Sequence, residues 1–171
     1  MKNVIVLCAA CGIGKSTMKD FIEENNMLPD HVCLDTDDVG LNWWDYAGTD
    51  HENKYQSDCF AKAVELSGNK DLFFVTCMNP LIYYRDVDAV PGVTATYFIG
   101  LVCSDEQVTT RLKARPAERN CGSDEFIKGQ IDYNIQYGEP RDVKNRGFTA
   151  NLNKRQAAEL PQTKETHQWK V

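Results

Sequence analysis

At 171 residues, with 42% apolar and 26% charged side chains, the chain has material for one packed domain and is not charged enough for global disorder. The net charge of −6 is uneven: residues 1–140 carry 12 Lys and Arg against 22 Asp and Glu, and residues 141–171 carry 7 against 3. An acidic body makes a broad nucleic-acid footprint the less favoured partnership, and the basic tail reads first as a solvated terminus.

In chain order, residues 4–8 are a continuous apolar run, the pattern of a strand buried on both faces. With Lys2 ahead of it the run has a faint likeness to a signal peptide. Gly12 to Lys15 follows at once, however, and a buried strand feeding a loop accounts for the same residues. No segment reaches the ~18 apolar residues of a membrane span, so a cytoplasmic chain without a membrane partner is expected. Residues 16–24 read as a helix with Met18, Phe21 and Ile22 on one side, and residues 31–34 as a short second strand. Residues 35–53 are polar and aromatic, expected as loop with short helix. A helix is predicted over 54–66, closed near Gly68, and a third strand over 71–76. Residues 94–101 are rich in β-branched and aromatic side chains and predict a fourth strand. Ser104 and Gln107 have the spacing of a capping box, opening a helix to about residue 114. Ser123 and Asp124 cap another, reaching about residue 137, and residues 148–152 are a weaker fifth strand. Strands and helices alternating at this spacing predict βαβ units, a mainly parallel sheet and a ligand at the strands' carboxyl ends.

Seven cysteines are an odd number in a chain large enough to fold without disulfides. Cys8, Cys33, Cys77 and Cys103 fall at or near strand ends, as buried thiols do in a reducing compartment. Cys8 and Cys11 form a C-x-x-C with no second pair to complete a zinc site.

The segment Ala9-Ala10-Cys11-Gly12-Ile13-Gly14-Lys15-Ser16-Thr17 joins the first strand to the first helix. It matches the Walker A pattern G-x-x-x-x-G-K-[ST] except that Ala9 replaces the first Gly. In such a loop the backbone amides from Gly12 through Ile13 and Gly14, together with the helix N-terminus, hold phosphate oxygens of ATP. Lys15 reaches the β- and γ-phosphates, the Ser16 hydroxyl ligates Mg²⁺, and Thr17 lies near the α-phosphate.

Asp35, Asp37 and Asp38 follow the second strand. Carboxylates there could accept the proton of a hydroxyl acceptor or help hold Mg²⁺, and they could equally cap a following helix. Trp43, Trp44 and Tyr46 could wall an acceptor pocket or pack under a helix. Arg111, Arg115 and Arg119 recur every four residues into Pro116, a spacing suited to a small lid at about 111–123 closing over phosphates. Arg85, after the third strand, is a further candidate for the acceptor site.

Taken together, these motifs resemble the P-loop kinases of nucleosides and nucleoside monophosphates, and more closely the kinase domain of phage polynucleotide kinase and its small relatives. The resemblance covers roughly residues 2–137. It implies a three-layer α/β/α P-loop NTPase fold over a single domain, 1–171, with a helical lid. It also implies ATP and Mg²⁺ as cofactors and a small-molecule acceptor, most plausibly a nucleoside or nucleotide. The family's Asp pair after strand two matches Asp37-Asp38, which makes Asp37 the general base. Asp35 is the reserve base, placed near Mg²⁺ through water and near the acceptor with Trp43 and Arg85. The family's R-x-x-x-R lid matches Arg111 and Arg115. Two features depart from the pattern: Cys77 stands where an acidic residue is usual, and Gly40 lies near the place of an Arg that helps hold the acceptor's phosphate. The second departure points toward an acceptor other than a 5′-hydroxyl polynucleotide.

Overall fold

The computed structural model describes residues 2–77, 90–117 and 121–138. Arg85, Arg119, the expected strand at 148–152 and the basic segment 141–171 lie outside the described residues. Strand β1 (Lys2–Cys8) lies between β3 (Asp71–Thr76) and β4 (Val93–Gly100), and β2 (His31–Asp35) pairs with the far side of β3. All three pairings are parallel. A strand with neighbours on both sides and helices on both faces is apolar along its length, which is why β1 reads as an unbroken run.

Alternation along the strands sorts the core into two layers. On one face Val4, Val6, Leu72 and Phe74 meet Phe60, Ala63 and Val64 of α2 (Tyr55–Leu66). On the other, Leu7, Phe73 and Val75 meet Val108 and Leu112 of α3 (Asp105–Lys113) and Ile127 of α4 (Asp124–Gly138). Met18 and Ile22 of α1 (Lys15–Glu24) pack at the margin of this second layer. The result is an α/β/α sandwich in which each fully buried aliphatic or aromatic side chain contributes about 1.5–3 kcal/mol. The Phe60 and Phe74 rings meet edge to face, centroids 6.1 Å apart, fixing α2 on β3.

The helix ends follow the sequence signals. Ser104 and Gln107 form the reciprocal capping box of α3. Ser123 Oγ accepts the Phe126 amide at 3.2 Å at the start of α4. Gly68, at φ +60°, takes the left-handed turn just beyond α2. The last carbonyls of α2 find a partner that the sequence does not announce. The buried Lys2 ammonium donates to Val64 O, Ser67 Oγ and Gly68 O, each at 2.7 Å. A cation there satisfies orphan carbonyls and complements the helix dipole, tying the first residue of β1 to α2.

Within the segment expected as loop with short helix, the chain makes two single 3₁₀ turns, Trp43–Asp45 and Glu52–Lys54. The first is capped by Asn42, whose side chain accepts the Trp44 amide at 3.1 Å. No helix among the described residues is long and apolar enough to cross a membrane.

Candidate active site

Beyond β1 the chain curls through residues 9–14 into α1. Ala9, Ala10 and Ile13 are buried and anchor the loop. Gly12 (φ +83°) and Gly14 (φ +109°) occupy the left-handed region that produces the curl. A Cβ on Gly12 would also meet Leu112 Cγ at 2.9 Å, so the loop is pressed onto α3 where only a glycine fits. Ala9 continues the strand, its amide donating to Thr76 O at 3.2 Å, and its φ is not positive. A glycine is therefore not needed there, which explains the departure from the Walker pattern.

Gly14 is the N-cap of α1, no side chain caps the helix, and its first turn holds no acidic residue. Among the described residues the amides and the positive end of the dipole thus have no capping carboxylate. Lys15 folds over the loop, its Nζ donating to Ala9 O at 2.8 Å and Ala10 O at 2.9 Å.

Arg111 and Arg115 both reach this loop, in different ways. Arg111 donates to Ile13 O at 2.7 Å, which seats its guanidinium on the loop. Because α3 ends at Lys113, Arg115 sits in the turn beyond it, so the two arginines do not share a helix face as the four-residue spacing implied. Both line a cavity of about 510 Å³ with Gly12, Gly14, Thr17 and the apolar Met18 and Phe21. Arg115 also lines a second cavity of about 460 Å³ that holds Lys15, Ser16, Asp35, Asp37 and Trp43. It stands between the two.

The three aspartates after β2 divide into two engaged carboxylates and one open one. Asp35 Oδ1 accepts the Asp37 amide at 2.7 Å and the Asp38 amide at 3.3 Å. Asp38 Oδ2 accepts the Asp35 amide at 2.8 Å and pairs with Lys19 Nζ at 3.0 Å. Partial burial pushes the Asp38 carboxyl up, but the Asp35 amide and Lys19 outweigh it and hold the group below the usual carboxylate range. Lys19 loses some hydration, yet Asp38, with Glu23 and Asp35, holds it above the usual lysine value. The capping role is therefore real, but it serves a turn rather than a helix. Among the described residues the exposed Asp37 carboxylate accepts no hydrogen bond and forms no ion pair, and it lines the same cavity as Lys15.

Ser16, Asp35 and Asp37 bring hard oxygen donors to one cavity, a set that fits Mg²⁺, which usually takes one or two protein ligands and completes its shell with water and phosphate. No cluster of three or more His, Cys, Asp or Glu able to cage a metal occurs among the described residues. At the end of β3, Cys77 offers a thiol instead of a carboxylate. Gln56 Nε2 lies 3.5 Å from its sulfur, and its carbonyl accepts the Tyr133 hydroxyl at 2.8 Å.

The aromatic residues separate as well. Trp43 lines the cavity and packs edge-on against Tyr55, centroids 5.2 Å apart. Tyr46 packs under α2, against Tyr55 and with its hydroxyl 3.1 Å from Asp58. Trp44 does neither and is 78% exposed. Several wall residues carried no motif. Gln130 on α4 accepts the Cys11 amide at 2.8 Å, bracing the loop from 119 positions away. Gln56, through Thr76, is joined to Thr36. Burial raises both thiols of the C-x-x-C, with Lys15 opposing the rise at each and Arg115 also at Cys11. Both cysteines are free, and at neutral pH such thiols stay protonated and weakly nucleophilic.

A parallel sheet in the order β2-β3-β1-β4, layered between helices with a glycine loop joining β1 to α1, is the three-layer α/β P-loop fold. Solved structures of small-molecule kinases share it. A gluconokinase from Sinorhizobium meliloti 1021 superimposes with a TM-score of 0.52 at 16% identity, covering 86% of this chain and 79% of its own. A shikimate kinase from Acinetobacter baumannii, in complex with shikimate, gives 0.53 at 14% identity and covers 96% of each chain. No protein-family model matches the sequence, and no curated protein matches it.

Proposed function

We propose that this protein is an ATP-dependent kinase that transfers the γ-phosphoryl group to a small hydroxyl acceptor, most plausibly a nucleoside or nucleotide. The observation that carries the reading is the single cavity, at an uncapped helix N-terminus, that collects Lys15, Ser16, Asp37 and Arg115. The fold shared with two small-molecule kinases supports it.

In this reading the amides around Gly12–Ser16 hold the β-phosphate, and Lys15 exchanges its loop carbonyls for β- and γ-phosphate oxygens. The base and sugar lie along Thr17, Met18 and Phe21, beside Arg111. Ser16, with Asp35 through water, would hold Mg²⁺, which would supply positive charge to offset that of the phosphates. Asp37 receives the acceptor's proton as the hydroxyl oxygen bonds to the γ-phosphorus and the bridging P–O bond to ADP breaks. Arg115, standing between the two cavities, stabilises the charge on the transferring group.

The test is an acceptor screen with labelled ATP and Mg²⁺ over nucleosides, nucleotides, sugars and 5′-hydroxyl oligonucleotides. We expect transfer to at least one small acceptor. The Lys15→Ala variant is expected to lose roughly a hundredfold or more in rate at saturating ATP. Near-wild-type turnover in that variant sinks the assignment. Preferred transfer to the oligonucleotide, with a steep loss of affinity as salt rises, replaces the small acceptor with a polynucleotide.

A further inference from the structure

Beside the cavity that holds Lys15 and Asp37 lies a larger one of about 780 Å³, and the two share Cys11, Trp43, Gln56 and Cys77. A compound resting in the larger space can therefore present a hydroxyl to Asp37. The charged side chains of its wall, among the described residues, are Asp50 and Glu52. Neither forms an ion pair among those residues. One Glu52 oxygen accepts the Gly48 amide at 2.7 Å, and Asp50 accepts no hydrogen bond among the described residues. Carboxylates only accept hydrogen bonds, so among the described residues this wall offers acceptors and no cation, which favours a ligand rich in donors over a second anion. Its flat element is Trp43, held edge-on by Tyr55 and 38% exposed, a fixed apolar face for a sugar ring or a base. Gln130 has committed its oxygen to the Cys11 amide and keeps its NH₂ group as a donor toward the same space.

We propose that the acceptor is an uncharged polyhydroxylated compound, a neutral sugar or a nucleoside without phosphate or carboxylate. It lies on Trp43 with its hydroxyls donating to Asp50 and Glu52. This rests on the kinase reading above and narrows it. In the transfer one of its hydroxyl oxygens bonds to the γ-phosphorus, ADP leaves with the electron pair of the broken P–O bond, and the proton passes to Asp37 and on to water.

Binding is measured first, by calorimetry on the full chain with Mg²⁺ and a non-hydrolysable ATP analogue. The probes are matched pairs: glucose and gluconate, ribose and ribose 5-phosphate, adenosine and AMP, cytidine and CMP. At least one neutral member should bind about tenfold or more tightly than its anionic partner. The responding pair separates sugar from nucleoside. Asp50→Asn and Glu52→Gln, which keep shape and remove charge, should narrow that gap by tightening the anionic member. An anionic member binding as tightly as its neutral partner overturns the proposal, as does binding of no neutral member. Phosphoryl transfer is then followed on the same panel. Neutral binding without transfer refutes the kinase reading and leaves the ligand class standing. Preferred transfer to an anionic member keeps the kinase and overturns the class.

Discussion

In the proposed reading the nucleotide side of the site is built mainly on one contiguous stretch, residues 8–18, with Arg111 and Arg115 beside it. The acceptor side is met by side chains from four separate stretches: Asp37 after β2, Trp43 to Gln56, Cys77, and Gln130 with Tyr133 on α4. The first arrangement takes its shape from a strand, two glycines and a helix start, and α3 and α4 brace it through Arg111 and Gln130. The second depends on every element that carries a wall residue being docked correctly. A change on the loop should therefore act on all substrates alike, whereas changes on the far wall should act on acceptor choice or on individual steps.

The sharpest test of that contrast lies among the aspartates. Asp37→Asn should lower kcat by about 10²–10⁴-fold with ATP affinity nearly retained, because the lost group serves the acceptor proton. Asp38→Asn should leave the rate within a few-fold and lower the melting temperature instead, since its carboxylate holds Lys19 and the Asp35 amide. A large rate loss in Asp35→Asn with a mild one in Asp37→Asn would swap their roles.

Ligand linkage gives the next effect in size. Mg-ATP at about a hundred times its Kd should stabilise the fold by about 2.7 kcal/mol. For a chain of this length that is a rise of roughly 5–10 °C in melting temperature. Because the loop is local and preformed, the rise should persist in Asp37→Asn and shrink in Lys15→Ala. A melting curve unmoved by millimolar Mg-ATP would break the nucleotide half of the comparison.

Gly12→Ala probes how tightly the loop is pressed on α3. A methyl 2.9 Å from Leu112 Cγ, at a φ of +83°, should cost about 1–3 kcal/mol in denaturant unfolding. Gly40→Ala shares the positive φ but has open space around it, and should cost less. Equal losses would mean that backbone conformation, not the approach of α3, governs position 12.

The smallest effect is the pH dependence of the Lys19–Asp38 pair, worth under about 1 kcal/mol at the surface. Asp38 is held low, so its contribution is present above the ordinary carboxylate value of about 3.9 and is lost as pH falls through the lowered one. Lys19 is held high, so its contribution is present below about 10.4 and is lost as pH rises through the raised one. The melting difference between wild type and Asp38→Asn should stay level from about pH 5 to 9 and close in acid, below the ordinary carboxylate value. Closure already near neutrality would show that the pair is not what orders the turn.

Two kinds of information separate in this molecule. Local order is written in local residues. The buried run of β1, the Gly12–Gly14 curl, the capping box at Ser104 and the left-handed Gly68 each depend on interactions within a few positions, and each is legible in the chain. The parallel α/β class follows from the alternation of such units. What the three aspartates do is not legible, because it turns on Lys19, from α1, taking one carboxylate and two backbone amides taking another. The same holds for Trp43 and Trp44, adjacent in sequence and alike in chemistry, which differ only in that one is held by Tyr55 and the other is not. That Arg111 meets Ile13 O is not legible until α3 is docked, and Gln130 carries no signal until α4 sets it beside Cys11. Short-range sterics and hydrogen bonding act through the sequence itself. Which side chains meet across 98 or 119 positions is decided by how the helices pack on the sheet.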